Sequence, residues 1–217
     1  MQEVSLSLPQ IIAVSILPVL FAITVHEVAH GWAAKQLGDP TAQRLGRLTL
    51  NPFKHIDPIG TVLVPAMLLL VGSRVLFGWA KPVPVTWDNL RNPRRDMVLV
   101  AAAGPLANLL MAVFWAFVLK LSLYLPTAAA VPLSHMGEIG IIINAVLMVF
   151  NLFPLPPLDG GRVAAGLLPG KWGWYLSRVE PYGFFILLAL MLSGALWVVI
   201  RPVVSAVTQL VGFVVGL

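Results

Sequence analysis

Apolar residues run almost unbroken from residue 11 to residue 37, and the ionisable side chains His26, Glu27 and His30 lie inside the run, with Lys35 near its end. Its length predicts a helix over about residues 9–37, enough at 1.5 Å per residue to cross the roughly 30 Å hydrocarbon core. Gly38, Asp39 and Pro40 predict its end. Residues 50–61 are dense in Asn-Pro, Asp-Pro and Gly turn signals. The apolar run over 61–72 has only about a dozen residues, which predicts a re-entrant or interfacial segment rather than a crossing. Residues 75–85 contain Pro82 and Pro84 and read as an extended or edge-strand loop, with Trp79 and Trp87 as interface anchors. A second crossing is predicted over about residues 97–124, followed by a loop over 125–136. A third begins near Gly137 and runs into 151–162, which is broken by Pro154, Pro156, Pro157, Gly160 and Gly161. A fourth is predicted over about 181–200, with an apolar tail over 202–217. The pattern is that of an all-α polytopic membrane protein with about four to six hydrophobic helical segments and a re-entrant or β-like loop near 59–85. A single domain over 1–217 is expected, with a core over about 9–168 and C-terminal helices over about 178–217.

Composition agrees with this. The chain is 59% apolar and 11% charged, with a mean hydropathy of +0.89, whereas soluble domains carry about a quarter charged residues. The net charge of +5 resides in short loops between apolar runs, so the positive-inside rule accounts for it without a nucleic-acid partner. Arg44, Arg47 and Lys54 follow the first helix, and Arg74, Lys81, Arg91, Arg94 and Arg95 follow the short run. Both ends of that run are therefore expected on the cytoplasmic side, and the basic-poor loop 125–136 outside. No basic n-region precedes the first helix, which is expected to be retained rather than cleaved as a signal. With no Cys in the chain, a disulfide framework, thiolate metal ligands and a cysteine nucleophile are excluded.

Charged groups at membrane depth need partners and a purpose. His26 and His30, four residues apart, share one helix face and can grip one metal ion, with Glu27 beside them as a proton carrier. Catalytic zinc commonly has three protein ligands and one open position. The best third candidate is Asp159, which the out-to-in, dip, in-to-out, out-to-in topology returns to the cytoplasmic half at the level of His30. A full crossing by 61–72 would leave it on the wrong side. His55 and Asp57 are rival ligands, although their loop favours helix capping and interfacial solvation. Asn108 reads as a helix-packing hydrogen bonder, and Arg91, Arg94 and Arg95 as a solvated face.

His26-Glu27-Val28-Ala29-His30 in the first helix, with Asn151-Leu152-Phe153-Pro154 and Leu158-Asp159-Gly160-Gly161 in a later one, resembles the site-2 proteases, which are intramembrane zinc metallopeptidases. The similarity extends through residues 51–58 and Gly104-Pro105 to Arg162. It looks like a minimal prokaryotic branch, without a PDZ domain or a helix before the metal helix. The resemblance implies one zinc ion per chain held by His26, His30 and Asp159, with Glu27 and Asn151 as catalytic residues. It also implies a membrane-dipping β-element near 77–85 that presents the substrate. The same resemblance implies a prokaryotic inner-membrane protein with transmembrane proteins as substrates in regulated intramembrane proteolysis, and the basic residues after the first helix place its active site toward the cytoplasmic half. The oligomeric state is left open. A non-proteolytic zinc carrier or sensor is the alternative, but it would need ionisable residues along a path, and the other spans supply almost none. A membrane zinc protease with a Glu third ligand would have to use Glu3, Glu138 or Glu180, all at predicted helix ends.

Overall fold

The computed structural model describes residues 6–72 and 78–217. Helix α1, Leu8–Gln36, carries Pro9 in its first turn, behind a capping box in which the Ser7 backbone N–H donates to Gln10 Oε1 at 2.9 Å. It ends at Leu37, where Gly38 takes a left-handed φ of +116°. A helical turn, α2, Thr41–Arg44, follows. Residues 58–70 form a second short helix, a π turn at Pro58–Leu63 running into α3, Val64–Leu70. The long helices α4, Pro93–Ser122, and α5, Thr127–Asn151, come next. Then come α6, Asp159–Leu167, α7, Trp172–Ser177, α8, Glu180–Leu192, and α9, Ala195–Val215. Four of these, α1, α4, α5 and α9, are long and apolar enough to cross a membrane, while Pro58–Leu70 and α8 are shorter apolar helices. The chain is an integral membrane protein.

Helices α1 and α4 are antiparallel, because His30 meets Val100 while the Ala22 carbonyl meets Asn108. Helices α4 and α5 are antiparallel as well, with Gly140 under the Trp115 ring and Gly137 against Leu119. Small residues let these helices approach. Ala112 and Ala116 are fully buried, and a Cβ on Gly140 would overlap Trp115. In lipid, packing of this kind, rather than water exclusion, holds helices together. Helix α9 covers the pair with Val211 and Val215, and Lys120 of α4 donates to the Val215 carbonyl at 2.5 Å.

The stretch between α1 and α4 leaves and returns at the same end of the bundle, where the Arg91 N–H donates to the Leu37 carbonyl at 3.1 Å. Its helix Pro58–Leu70 rises about 20 Å, short of the roughly 30 Å core. Both observations fit a dip. Residues 78–86 carry no helix and no strand. The Val75, Leu76 and Phe77 part of the expected β-like loop lies outside the described residues.

Two boundaries differ from the sequence reading. The third crossing begins at Thr127 rather than near Gly137, because Ala128, Ala129 and Ala130 start the helix and Pro132 is carried within it. The break near the C-terminus is at Ser193 and Gly194, not at Arg201 and Pro202. Gly194 takes φ +76° and ends α8, whereas Pro202 is accommodated inside α9, as prolines in membrane helices commonly are. The apolar tail is thus most of a full-length span.

Candidate metal centre

Asp159 reaches α1 because the chain reverses tightly after α5. Residues 152–158 form turns, and α6 begins at Asp159 itself. A Cβ on Gly160 would overlap the Leu152 carbonyl, and one on Gly161 would overlap the Pro156 nitrogen. Only a Gly-Gly pair lets the first turn of α6 fold back onto the proline turn, and that return carries the carboxylate to the histidines.

His26, His30 and Asp159 come together, and each is less than a tenth exposed. The two Nε2 atoms lie 3.1 Å apart, and Asp159 Oδ2 is 3.3 Å from His26 Nε2 and 3.2 Å from His30 Nε2. A tetrahedral ion with bonds of 2.0–2.1 Å needs ligand atoms about 3.3–3.4 Å apart. The triangle closes to that size.

Hydrogen bonds on the far side of each ring determine what faces the centre. His30 Nδ1 lies 2.7 Å from the Val100 carbonyl, which only accepts, so Nδ1 carries the proton. His26 Nδ1 lies 2.6 Å from Asn108 Oδ1. Asn108 uses its amide N–H groups on the Ala22 carbonyl at 3.1 Å and on Asn144 Oδ1 at 2.8 Å, and Asn144 donates to the Gly140 carbonyl at 2.8 Å. The oxygen of Asn108 therefore faces His26, whose Nδ1 is the donor. Both Nε2 lone pairs then point at Asp159 Oδ2, a buried oxygen with no hydrogen-bond partner among the described residues. Three electron-pair donors this close repel one another unless a cation lies between them. Gly104 keeps the space open, since a Cβ there would overlap His30 Nε2. The donor set, its spacing and the orphaned oxygen fit zinc.

Asn108 and Asn144, both with no exposed surface, are the residues that sequence reasoning underrated. Each was visible as an amide within an apolar helix at the depth of the motif, but only the antiparallel register of α1 and α4 places Asn108 behind His26. Asn108→Leu is expected to weaken zinc affinity about 10- to 100-fold, the usual effect of losing a partner that orients a ligand. It also strands the Asn144 oxygen, at about 1–3 kcal/mol. Competition against a chelator measures the affinity, and an unchanged value contradicts the role.

Among the remaining sequence candidates, Glu27 Oε2 accepts the Val83 backbone N–H at 2.7 Å. The Asn151 amide donates to the Leu147 carbonyl of its own helix at 2.9 Å and makes no hydrogen bond to the triad. His55 is buried and lies 2.9 Å from the Thr49 carbonyl, while Asp57 caps the Pro58 turn through the Ile59 and Gly60 N–H groups. Neither belongs to the triad.

Residues 78–86 lie as a strap over this end of α1. The Lys81 N–H donates to the His55 carbonyl at 2.9 Å, Arg47 donates to the Lys81 carbonyl at 2.9 Å, and the Thr86 N–H donates to Asp39 Oδ2 at 2.7 Å. Burial raises the affinity of Asp39 for its proton, but the hydrogen bonds from Asn89, Thr41 and Thr86 outweigh it and hold the carboxyl below its ordinary range. Lys81 and Val83 thus spend their N–H groups inward. Pro82 and Pro84 have none, and Arg47 donates to the Pro82 carbonyl at 3.3 Å as well as to that of Lys81, so from Lys81 to Pro84 no N–H is left for a partner strand.

A helical membrane protein that buries a His-His-Asp triad, with a glutamate in the same helical turn, has the construction of a membrane zinc metalloprotease. Comparison with known proteins agrees. The sequence profile described as peptidase family M50 matches residues 14–126 and 121–194, and the chain belongs to that family, the site-2 proteases. It is 39% identical over 195 residues to "Putative zinc metalloprotease YwhC" of Bacillus subtilis (strain 168), across 88% of this chain and 85% of that protein. It is 29% identical over 177 residues to "Putative zinc metalloprotease Rip2" of Mycolicibacterium smegmatis, across 82% of this chain and 66% of that protein. The Rip2 of Mycobacterium tuberculosis strain H37Rv is 29% identical over 181 residues, again across 82% of this chain and 66% of that protein. No solved structure matches the chain.

Proposed function

We propose that the protein is an intramembrane zinc endopeptidase that cuts peptide bonds in or near the membrane-spanning segments of other membrane proteins. The observation that carries this reading is the convergence of His26 Nε2, His30 Nε2 and Asp159 Oδ2 at tetrahedral spacing inside a helical bundle. His26, His30 and Asp159 would hold the zinc ion, which when bound would supply a water of lowered pKa and a Lewis acid for the scissile carbonyl. Glu27 has one carboxylate oxygen engaged by Val83 and the other without a hydrogen bond among the described residues. It accepts the proton of the attacking water and delivers it to the departing amine. Asn151, at the last turn of α5, stabilises the oxyanion or holds the substrate backbone once its amide leaves the Leu147 carbonyl.

A helical substrate hides its carbonyls in its own hydrogen bonds and must unwind before it reaches the centre. The strap assists by accepting from an extended segment at the Val83 and Pro84 carbonyls, which take no hydrogen bond among the described residues, in a one-sided form of strand addition. The basic residues Arg44, Arg47, Lys54, Arg91, Arg94 and Arg95 gather at the end of the bundle where α1 stops and α4 begins, which orients that end, and the centre near it, toward the cytoplasm of a prokaryotic cell. Zinc transport is disfavoured because, among the described residues, the buried ionisable ones, His26, His30, Asp39, His55, Asp96 and Asp159, all lie toward this one end of the bundle and form no path to the other.

The test uses purified protein in lipid vesicles with a panel of single-span membrane substrates. Cleavage should stop with a zinc chelator and return when zinc is restored. Cleavage that persists without metal, or no cleavage of any single-span substrate by the zinc-loaded protein, overturns the assignment.

A further inference from the structure

We propose that the backbone N–H of Val83 is a positioning group for Glu27, so that the strap and the proton carrier form one unit. The proposal rests on the reading of Glu27 as the proton carrier. The local sequence, Lys81-Pro82-Val83-Pro84-Val85, leaves one amide N–H between two prolines. That N–H is 2.7 Å from Glu27 Oε2, the one hydrogen bond Glu27 makes among the described residues. A backbone donor to a carboxylate is charge-assisted, short and directional.

The donor is held from several sides. Lys81 is fixed by the His55 carbonyl and by Arg47, and Thr86 by Asp39, so the strap is pinned before and after Val83. The Val83 side chain is 7% exposed and fills the place where a Cβ on Gly31 would stand, 2.7 Å from Val83 Cγ1. The flanking prolines fix φ at 82 and 84 near their extended values, which limits the freedom of the peptide that carries the donor. Glu27 is the opposite case. Its flexible side chain projects from α1 beside two histidines held by far-side hydrogen bonds, and among the described residues only the strap hydrogen-bonds its carboxylate. Pinning Oε2 leaves Oε1 as the proton acceptor and selects one rotamer of the carboxylate.

The position admits a clean removal of the donor. Val83→Pro deletes the N–H, and the preceding residue is already a proline, Pro82, in a stretch with no helix to break. Misplacement of a reacting group by about 1 Å costs on the order of 100-fold. Val83→Pro should therefore lower kcat about 10- to 100-fold with KM nearly constant and zinc at one per chain. Val83→Ala keeps the N–H, loses only packing, and should recover most of that loss. Replacing the amide at 83 by an ester, with the side chain kept, removes the same hydrogen without a ring and should match Val83→Pro even if the triple proline disturbs folding.

In a Glu27→Gln background the same Val83 replacements should cost little further, because the group they position is already disabled. Equal kcat for the Val83→Ala and ester variants, or an undiminished loss in the Glu27→Gln background, overturns the positioning role while leaving the protease reading intact. Normal turnover by Glu27→Gln alone overturns the protease reading itself, so the two failures are distinguishable.

Discussion

Glu27→Gln retains one zinc per chain and loses cleavage by about 100- to 10,000-fold, the range spanned by general acid–base catalysis. The substitution is nearly isosteric and keeps the oxygen that receives the Val83 N–H, so the strap stays docked. Glu27 is not among the three atoms that close the metal triangle, and the metal should stay as well. What disappears is a carboxylate able to take a proton. Cleavage of a single-span substrate in vesicles, measured beside the zinc content of the same preparation, separates these effects. Turnover at the wild-type rate removes Glu27 from the mechanism.

Asp159→Ala has the second large effect, and it falls on the metal. The variant takes away one corner of a triangle with edges of 3.1–3.3 Å and leaves two neutral imidazoles as the protein ligands. The loss of affinity should exceed the 10- to 100-fold typical of losing an orienting partner behind a ligand, so zinc should fall well below one per chain during purification. The backbone return is set by Gly160 and Gly161 against the turn at residues 152–156, not by the carboxylate. The variant should accordingly remain folded and embedded. Wild-type circular dichroism with absent metal is the expected pair of results, and full metal occupancy reassigns the third ligand.

The convergence of His26, His30 and Asp159 was legible in the chain because its signals are local and chemical. His26 and His30 at helical spacing declare a shared face, and Asp159 follows a proline string that no regular helix accepts. The short run at 61–72 was legible from length alone. The rest depends on partners distant in sequence or on groups the sequence does not display. Asn108 looks like any amide in an apolar helix until antiparallel packing sets it behind His26, 82 residues away. The Val83 contact to Glu27 spans 56 residues and uses a backbone N–H, which every residue but proline possesses, so side-chain chemistry gives no hint of it. The misplaced break near the C-terminus has a similar origin. Arg201 and Pro202 look like an interruption, but a helix in lipid carries a proline more readily than it carries a left-handed residue such as Gly194.

The central claim is that His26, His30 and Asp159 together hold a zinc ion. X-ray absorption at the zinc edge, on wild type and Asp159→Ala purified side by side, tests it most directly. The prediction is a four-coordinate wild-type shell at about 2.0–2.1 Å with two imidazoles and the remainder oxygen, and little or no zinc in the variant. A wild-type shell with three imidazoles, or an Asp159→Ala protein with full zinc and an unchanged shell, contradicts it.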